Sequence, residues 1–116
     1  MTECSIVDDD GLSRATCEVD ELLRALADGR RRLLVSVLEA RDHGWIRRER
    51  LVAILAGRDD RLTAADWRRE FVHVHCPVLA DLGLLEHDEQ SDAVRYYRCD
   101  LVSELLALVE ARADRT

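Results

Sequence analysis

Apolar residues recur every three or four positions along most of the chain, which is the spacing of one buried face on an α-helix. This spacing predicts a first helix over about 17–27 and a second over about 29–41, with Asp28 as the cap of the second. A short extended step at 45–46 leads into a third helix over about 47–57. Three amphipathic helices are therefore predicted in the first half.

The second half of the chain predicts a longer helix, a hairpin and a last helix. Thr63 begins a sequence with the form of a capping box, which predicts a long helix that ends at Gly83. Two short β-like runs, 84–88 and 93–97, are joined by turn-forming residues and predict a hairpin. A last helix is predicted over about 101–113, and its apolar stripe is wider than the edge of a monomer needs. That width predicts a partner helix.

The first sixteen residues lack this periodicity and carry three consecutive aspartates. Residues 1–16 are therefore predicted to form a flexible acidic tail, followed by a folded domain over 17–99 and a dimerisation helix over 100–116. A chain of 116 residues corresponds to one domain. Aromatic residues make up only 4% of it, so the core must be aliphatic, and this favours helices.

The sequence contains no apolar run near the eighteen or so residues that a membrane span needs. Its first ten residues also lack the basic and apolar regions of a signal peptide. We therefore expect a cytoplasmic protein without a membrane partner.

The charge balance is strongly acidic. The chain has 24 acidic residues against 17 basic ones, all arginine, and a net charge of -7. Acid-rich, lysine-free composition resembles that of proteins from halophilic archaea, although a G+C-rich genome alone would also favour arginine. An acidic surface disfavours nucleic acid at ordinary salt, and this penalty shrinks as the Debye length falls to about 3 Å at molar salt.

The order of predicted elements is that of a winged helix-turn-helix, in which the longer helix enters the major groove and the hairpin forms a wing. The predicted fold is mainly α with a small β-hairpin wing and extra N- and C-terminal helices. The segments LADGRRRLLVSVL at 26–38, VHVHCPVLADLGLLEHD at 72–88 and VRYY at 94–97 resemble those of ArsR-like winged-helix regulators, closest to the haloarchaeal type. The resemblance covers about residues 20–98 and implies a homodimeric, DNA-binding transcriptional regulator that dimerises through its first and last helices.

Candidate DNA contacts follow from this architecture. Three arginines begin the third helix, which would cross the phosphate backbone, and others begin the long helix and lie on the wing. The predicted DNA-binding residues are Arg47, Arg48, Arg50, Arg68, Arg69, His73 and Arg95. The predicted dimer contacts are Leu22, Leu26, Leu101, Leu105 and Leu108. The alternative is that each arginine is only a solvated partner of a nearby acid.

A helical wheel at 100° per residue divides the long helix into three faces. The predicted core face holds Ala65, Val72, Cys76 and Leu79. A second apolar stripe holds Trp67, Phe71, Val74 and Val78, which is either buried or a surface for a protein partner. The wedge between them holds Asp66, Glu70, His73, Pro77 and Asp81, which is acidic where DNA would favour donors. A winged-helix protein-interaction module without DNA binding is therefore the alternative function.

Metal and redox chemistry have weaker support. His73, His75 and Cys76 lie close together on the long helix, but a full ligand set is missing and no CxxC pair exists, so neither a metal site nor a cofactor is predicted. A metal- or thiol-responsive regulator stays an alternative, with Cys4 and Cys17 as the thiols expected at the surface. No catalytic motif is present, so we do not expect an enzyme.

Overall fold

Helices form most of the structure, a computed structural model that describes residues 3–8, 10–41 and 44–113. The strands are β1 (Glu3–Val7), β2 (Ser13–Glu18), β3 (Trp45–Arg47), β4 (Leu85–Asp88) and β5 (Ala93–Tyr96). The helices are α1 (Val19–Leu26), α2 (Gly29–Glu39), α3 (Arg48–Arg58), α4 (Ala64–Glu70), α5 (Cys76–Asp81) and α6 (Asp100–Ala113). A π-helical turn, Phe71–His75, joins α4 to α5 without a break, and we call this whole segment the long helix. With the long helix counted as one, the described part of the chain is thus a compact α/β domain with five helices and two small antiparallel sheets.

The prediction of a flexible acidic tail is wrong for the described part of the N-terminus. β1 and β2 pair there as an antiparallel hairpin. Its inner face is apolar, with Ile6 fully buried and Cys17 nearly so. Gly83 makes this packing feasible, because a Cβ at that position would lie 3.2 Å from the Ala15 Cβ. The tail therefore belongs to the folded domain because it covers a core surface at the end of the long helix.

The first three helices follow the predicted order. α1 begins at Val19 rather than 17, because the two preceding residues complete β2. The Asp28 side chain accepts hydrogen bonds from the backbone N–H groups of Arg30 and Arg31, which confirms it as the cap of α2. α3 runs through Gly57, which was predicted to end it, and stops one residue later.

The long helix begins and ends where the sequence predicted. Thr63 and Asp66 form the reciprocal capping box, and the chain leaves the helix at Gly83 with a φ of 85°. The predicted core face is wrong for part of the helix, however. The π turn changes the phase of the residues that follow it, whereas before the turn the helix buries Trp67 and exposes Ala65. The residues that it buries on one side are Trp67, Phe71, His75 and Leu79. Ala65 and Val72 were predicted in the core and are exposed, and Cys76 is only partly buried.

The predicted hairpin is present and belongs to a three-stranded sheet in the order β3–β5–β4. β3 pairs with β5 through Ile46 and Val94, and both side chains are buried. α6 begins just after this sheet and buries Val102 and Leu106, so it belongs to the same core rather than to a separate segment. No helix in the described ranges is long and apolar enough to cross a lipid bilayer.

Candidate nucleic-acid interface

The start of α3 lies beside the turn between β4 and β5. The Arg48 guanidinium is 2.8 Å from the Asp92 carboxylate, and the Arg48 backbone N–H donates to the Asp92 carbonyl at 2.9 Å. Arg47 and Arg50, on either side, are exposed, and neither forms an ion pair with any residue that the structure describes. The predicted phosphate contacts therefore divide into one residue that fixes the hairpin and two that face solvent.

The arginines at the start of the long helix are both paired with acids. Arg68 donates two hydrogen bonds to Glu49, with nitrogen–oxygen distances of 2.7 and 2.6 Å. These bonds lower the pKa of Glu49. Arg69 lies 3.6 Å from Asp66, and its side chain is 71% exposed. The solvated-partner alternative therefore describes Arg68 well, whereas Arg69 is held only loosely.

Arg95 lies on β5 and stacks near an aromatic ring. Its guanidinium carbon is 5.3 Å from the centre of the Tyr97 ring, and that of Arg14 from the N-terminal hairpin is 3.9 Å from the same centre. The Tyr97 hydroxyl donates to Glu86 at 2.6 Å. Arg95, the predicted wing contact, is thus part of a cluster that joins the N-terminal hairpin to the β4–β5 hairpin. Sequence reasoning missed Arg14 because this residue was assigned to a flexible tail.

His73 and His75 look alike in the sequence and have opposite environments. His73 is exposed on the outer side of the π turn, as expected for a residue that approaches DNA. His75 is fully buried on the inner side, where its Nδ1 is 3.3 Å from Arg31 Nε and its Nε2 is 2.8 Å from Glu70 Oε1. Arg30 completes this cluster with an ion pair to Glu70 at 3.3 Å.

The hydrogen-bond partners of His75 determine which of its ring nitrogens carries the proton. Arg31 Nε–H is only a donor, so Nδ1 of His75 must accept and carries no proton. Nε2 therefore carries the proton and donates it to Glu70. Burial lowers the pKa of His75, and the Arg31 charge lowers it further against the opposing effect of Glu70. The prediction of an acidic wedge that faces solvent is thus wrong for Glu70, because its carboxylate bonds His75 and Arg30.

The outer side of the long helix is largely apolar. Val72 and Val74 are 36% and 41% exposed, and Pro77 beside them is also exposed. Trp67 and Phe71, for which burial and a surface for a protein partner were both left open, are buried against the core. Burial is therefore the correct alternative for these two positions. Val78 is partly buried, so Val74 is the member of that stripe that is well exposed.

The predicted dimer contacts also divide into two groups. Leu22 and Leu26 are buried within the chain's own core, so the prediction that they contact a second copy is wrong. The sequence could not separate the two sides of the short helix α1. On α6, Leu101 and Leu105 are partly buried and Leu108 is 57% exposed. A groove of about 520 Å³ runs between α2 and α6, with Leu33, Leu106 and Val109 on its wall.

Metal ligands do not converge within the described ranges, where no group of three or more His, Cys, Asp or Glu side chains is placed to hold an ion. All four cysteines are free thiols. Cys17, expected at the surface, is buried, whereas Cys4 is partly exposed. Cys76 lies near Arg48, and burial raises its pKa against the effect of that charge.

Comparisons of the chain with protein-family models, with curated proteins and with solved structures find no significant match. The ArsR-like resemblance therefore stays an expectation from the sequence segments. The charged side chains whose contacts sequence reasoning missed are those of Arg14, Arg31 and His75. A local signal did exist for the last, because Trp67, Phe71 and His75 are spaced by four residues and share one side of the helix.

Proposed function

We propose that the chain is a winged helix that binds double-stranded DNA as a homodimeric, cytoplasmic transcriptional regulator of ArsR-like type. In this proposal α3 and the long helix are the helix-turn-helix pair, and β4 and β5 are the wing. Arg47 and Arg50 hold phosphates, whereas Arg69 and His73 approach the major groove. No catalytic step, metal or cofactor is part of the proposed function.

The observation that supports this function most strongly is that α3, the long helix and the turn between β4 and β5 meet at one edge of the domain. Arg48 connects α3 to the wing turn through Asp92, and Arg68 connects the long helix to α3 through Glu49. Two exposed arginines without acidic partners among the described residues, Arg47 and Arg50, lie at the same edge. Contacts with DNA phosphates need cationic side chains that are not already paired with acids, and these elements hold two of them in fixed positions.

Glu49 reduces the attraction of this edge for DNA. Its carboxylate lies in the first turn of α3 and occupies the Arg68 guanidinium. A phosphate that approaches Arg68 must therefore replace Glu49. Surface ion pairs of this kind are weak, so the exchange is feasible, and high salt weakens the repulsion from the net charge of -7.

Fluorescence anisotropy of a labelled mixed-sequence duplex, titrated with the full chain from low to molar KCl, tests DNA binding. The test variant is Arg47→Ala with Arg50→Ala. The matched control is Arg24→Ala with Arg112→Ala, which removes the same charge from two exposed positions on α1 and α6. We expect the test variant to reduce the log–log salt slope by about one unit for each phosphate that is no longer bound, and the control to leave it nearly unchanged.

Equal reductions in the test variant and the control would show that only net charge matters, and the assigned interface would be wrong. Absence of binding at every salt concentration would contradict the regulator function itself.

We place the homodimer contact on α6, where Leu108 and Val109 are exposed beside partly buried Leu105. Leu108→Glu should convert the dimer to a monomer in sedimentation, whereas Glu104→Leu on the same helix should not. A wild-type chain that sediments as a monomer at micromolar concentration would contradict this part of the proposal.

A protein-interaction module is the second candidate function. It is favoured by Val72, Val74 and Pro77 on the outer side of the long helix, where a DNA-reading helix would be expected to expose donors. Arg69→Ala with His73→Ala distinguishes the two functions, because it weakens sequence preference only if this side contacts bases. If this double variant binds DNA with an unchanged sequence preference, the outer side of the long helix does not read bases.

A further inference from the structure

Three of the four thiols come together where the N-terminal hairpin meets the start of α6. Cys4 and Cys17 are directly opposite in the β1–β2 pairing, so their side chains lie on the same inner face of the hairpin. Cys99 immediately precedes α6 and is 1% exposed. Burial and, after it, the neighbouring Cys99 thiol raise the pKa of Cys4. Two cysteines far apart in the sequence are thus close together.

The backbone holds this arrangement in place. The Val7 N–H donates to the Arg98 carbonyl at 2.9 Å, and these two residues form an isolated antiparallel bridge. β1 therefore runs beside the segment that contains Cys99. A disulfide needs Cα atoms within about 7 Å and side chains that face each other. The bridge brings β1 beside the segment that contains Cys99, which is the first condition for such a bond.

We propose that Cys4 and Cys99 are a disulfide-forming pair that fastens the N-terminal hairpin to the start of α6 on exposure to a low-molecular-weight disulfide. This inference is independent of DNA binding. Cys17, directly opposite Cys4 on β2, is the competing partner, and a peptide map separates the two pairings. Cys76 lies on the long helix.

The reaction proceeds by two thiol–disulfide exchanges. Cys4 is the more exposed of the pair, so its thiolate attacks one sulfur of the small disulfide, forms a mixed disulfide and expels one small thiolate. The Cys99 sulfur then attacks the Cys4 sulfur and expels the second small thiolate. The protons of the two cysteines pass to the two departing thiolates. Two protein thiols are oxidised, and one small disulfide is reduced to two thiols.

The rate of the first exchange has a characteristic pH dependence. Burial and the neighbouring thiol raise the pKa of Cys4, so only a small fraction is thiolate near neutral pH. Since thiolate is the attacking form, the rate should rise about tenfold per pH unit until the pKa is reached. An exposed cysteine with an ordinary pKa would level off earlier.

The expected consequence is a large gain in stability. The bond closes a loop of about 95 residues, and the entropy lost by the unfolded chain grows with loop length. A rise in Tm of about 10 °C is therefore expected for the oxidised chain over the reduced one.

Peptide mapping of the full chain after incubation with oxidised glutathione tests the pair directly. Trypsin cuts after Arg14 and Arg98, so Cys4, Cys17 and Cys99 fall on three different peptides. We expect a linked Cys4–Cys99 peptide in the wild type and in Cys76→Ser, and none in Cys4→Ser. The wild-type map needs no variant to fold, so a destabilised variant does not prevent the test.

A Cys4–Cys17 or Cys17–Cys99 link, a link between two chains, or four unlinked cysteines would each overturn the proposed pair. A Cys4–Cys99 link without a rise in Tm over the reduced protein would overturn the fastening of the hairpin.

Discussion

The long helix carries charged side chains in two different settings. At its start, Arg68 meets Glu49 at the surface, in short bonds that water and salt surround. Further along, His75 bonds both Glu70 and Arg31 in a cluster where His75 and Arg31 are 0% and 8% exposed. The Glu49 carboxylate of the surface pair can be exchanged for another anion at little cost, whereas the fully buried His75 has no solvent to replace a missing partner. The first setting suits binding, and the second fixes the helix against α2.

Removal of the buried imidazole should have the largest effect. His75→Ala leaves the Arg31 Nε and one Glu70 oxygen with poorer partners and opens a cavity, so we expect a loss of about 3 kcal/mol in the free energy of unfolding. Urea unfolding followed by circular dichroism measures this loss. His73→Ala, two residues away and exposed, is the matched control and should change stability by less than about 0.5 kcal/mol. Equal effects in the two variants would contradict the buried role.

Acid should have the next largest effect, through the same histidine. The folded state lowers the pKa of His75, so the unfolded chain, with an ordinary pKa of 6.5, binds the proton more strongly. Stability from this group is therefore present above pH 6.5 and lost as the pH falls towards the folded pKa, at up to about 1.4 kcal/mol per pH unit. Urea midpoints from pH 7.5 to 5.0 should fall more steeply in the wild type than in His75→Ala. Parallel curves would exclude a titrating His75.

The surface pair should have the smallest effect on stability. Glu49→Ala leaves Arg68 in water, so we expect no measurable change in the urea midpoint. If the edge binds DNA, the same variant should bind more tightly than the wild type at low salt, because a competing carboxylate is removed. Asp60→Ala changes the charge equally at another exposed residue and is the control. A large loss of stability in Glu49→Ala would contradict the distinction between the two settings.

Features set by neighbouring residues could be predicted from the sequence. Asp28 caps α2, Thr63 and Asp66 form the capping box, and Gly83 ends the long helix, as their local patterns indicated. The β4–β5 hairpin also followed from its own residues. Each of these depends on hydrogen bonds or backbone angles within a few positions.

Features set by distant contacts could not be predicted. The N-terminal hairpin is folded because Ile6 packs on Gly83, which is distant in the sequence, and an acidic segment gives no sign of that surface. The helical wheel failed for two other reasons. Before the π turn, the core face was assigned to Ala65 rather than to Trp67. The turn itself does not keep the constant 100° per residue that the wheel assumes. Within the candidate site, the sequence named the arginines at the edge. The sequence could not show which acidic side chains would form ion pairs with these arginines.

The π turn also bears on how the length of this chain could vary. Trp67, Phe71, His75 and Leu79 are each four positions apart, a spacing that drifts by about 40° per step on an ordinary α-helix, and the widened turn reduces this drift. Deletion of one outer residue such as Val74 would leave them at intervals of four, three and four, which is the ordinary pattern of an α-helix. The same side chains would then be buried by a helix one residue shorter. The extra residue at this turn therefore has the character of an insertion that the fold accommodated.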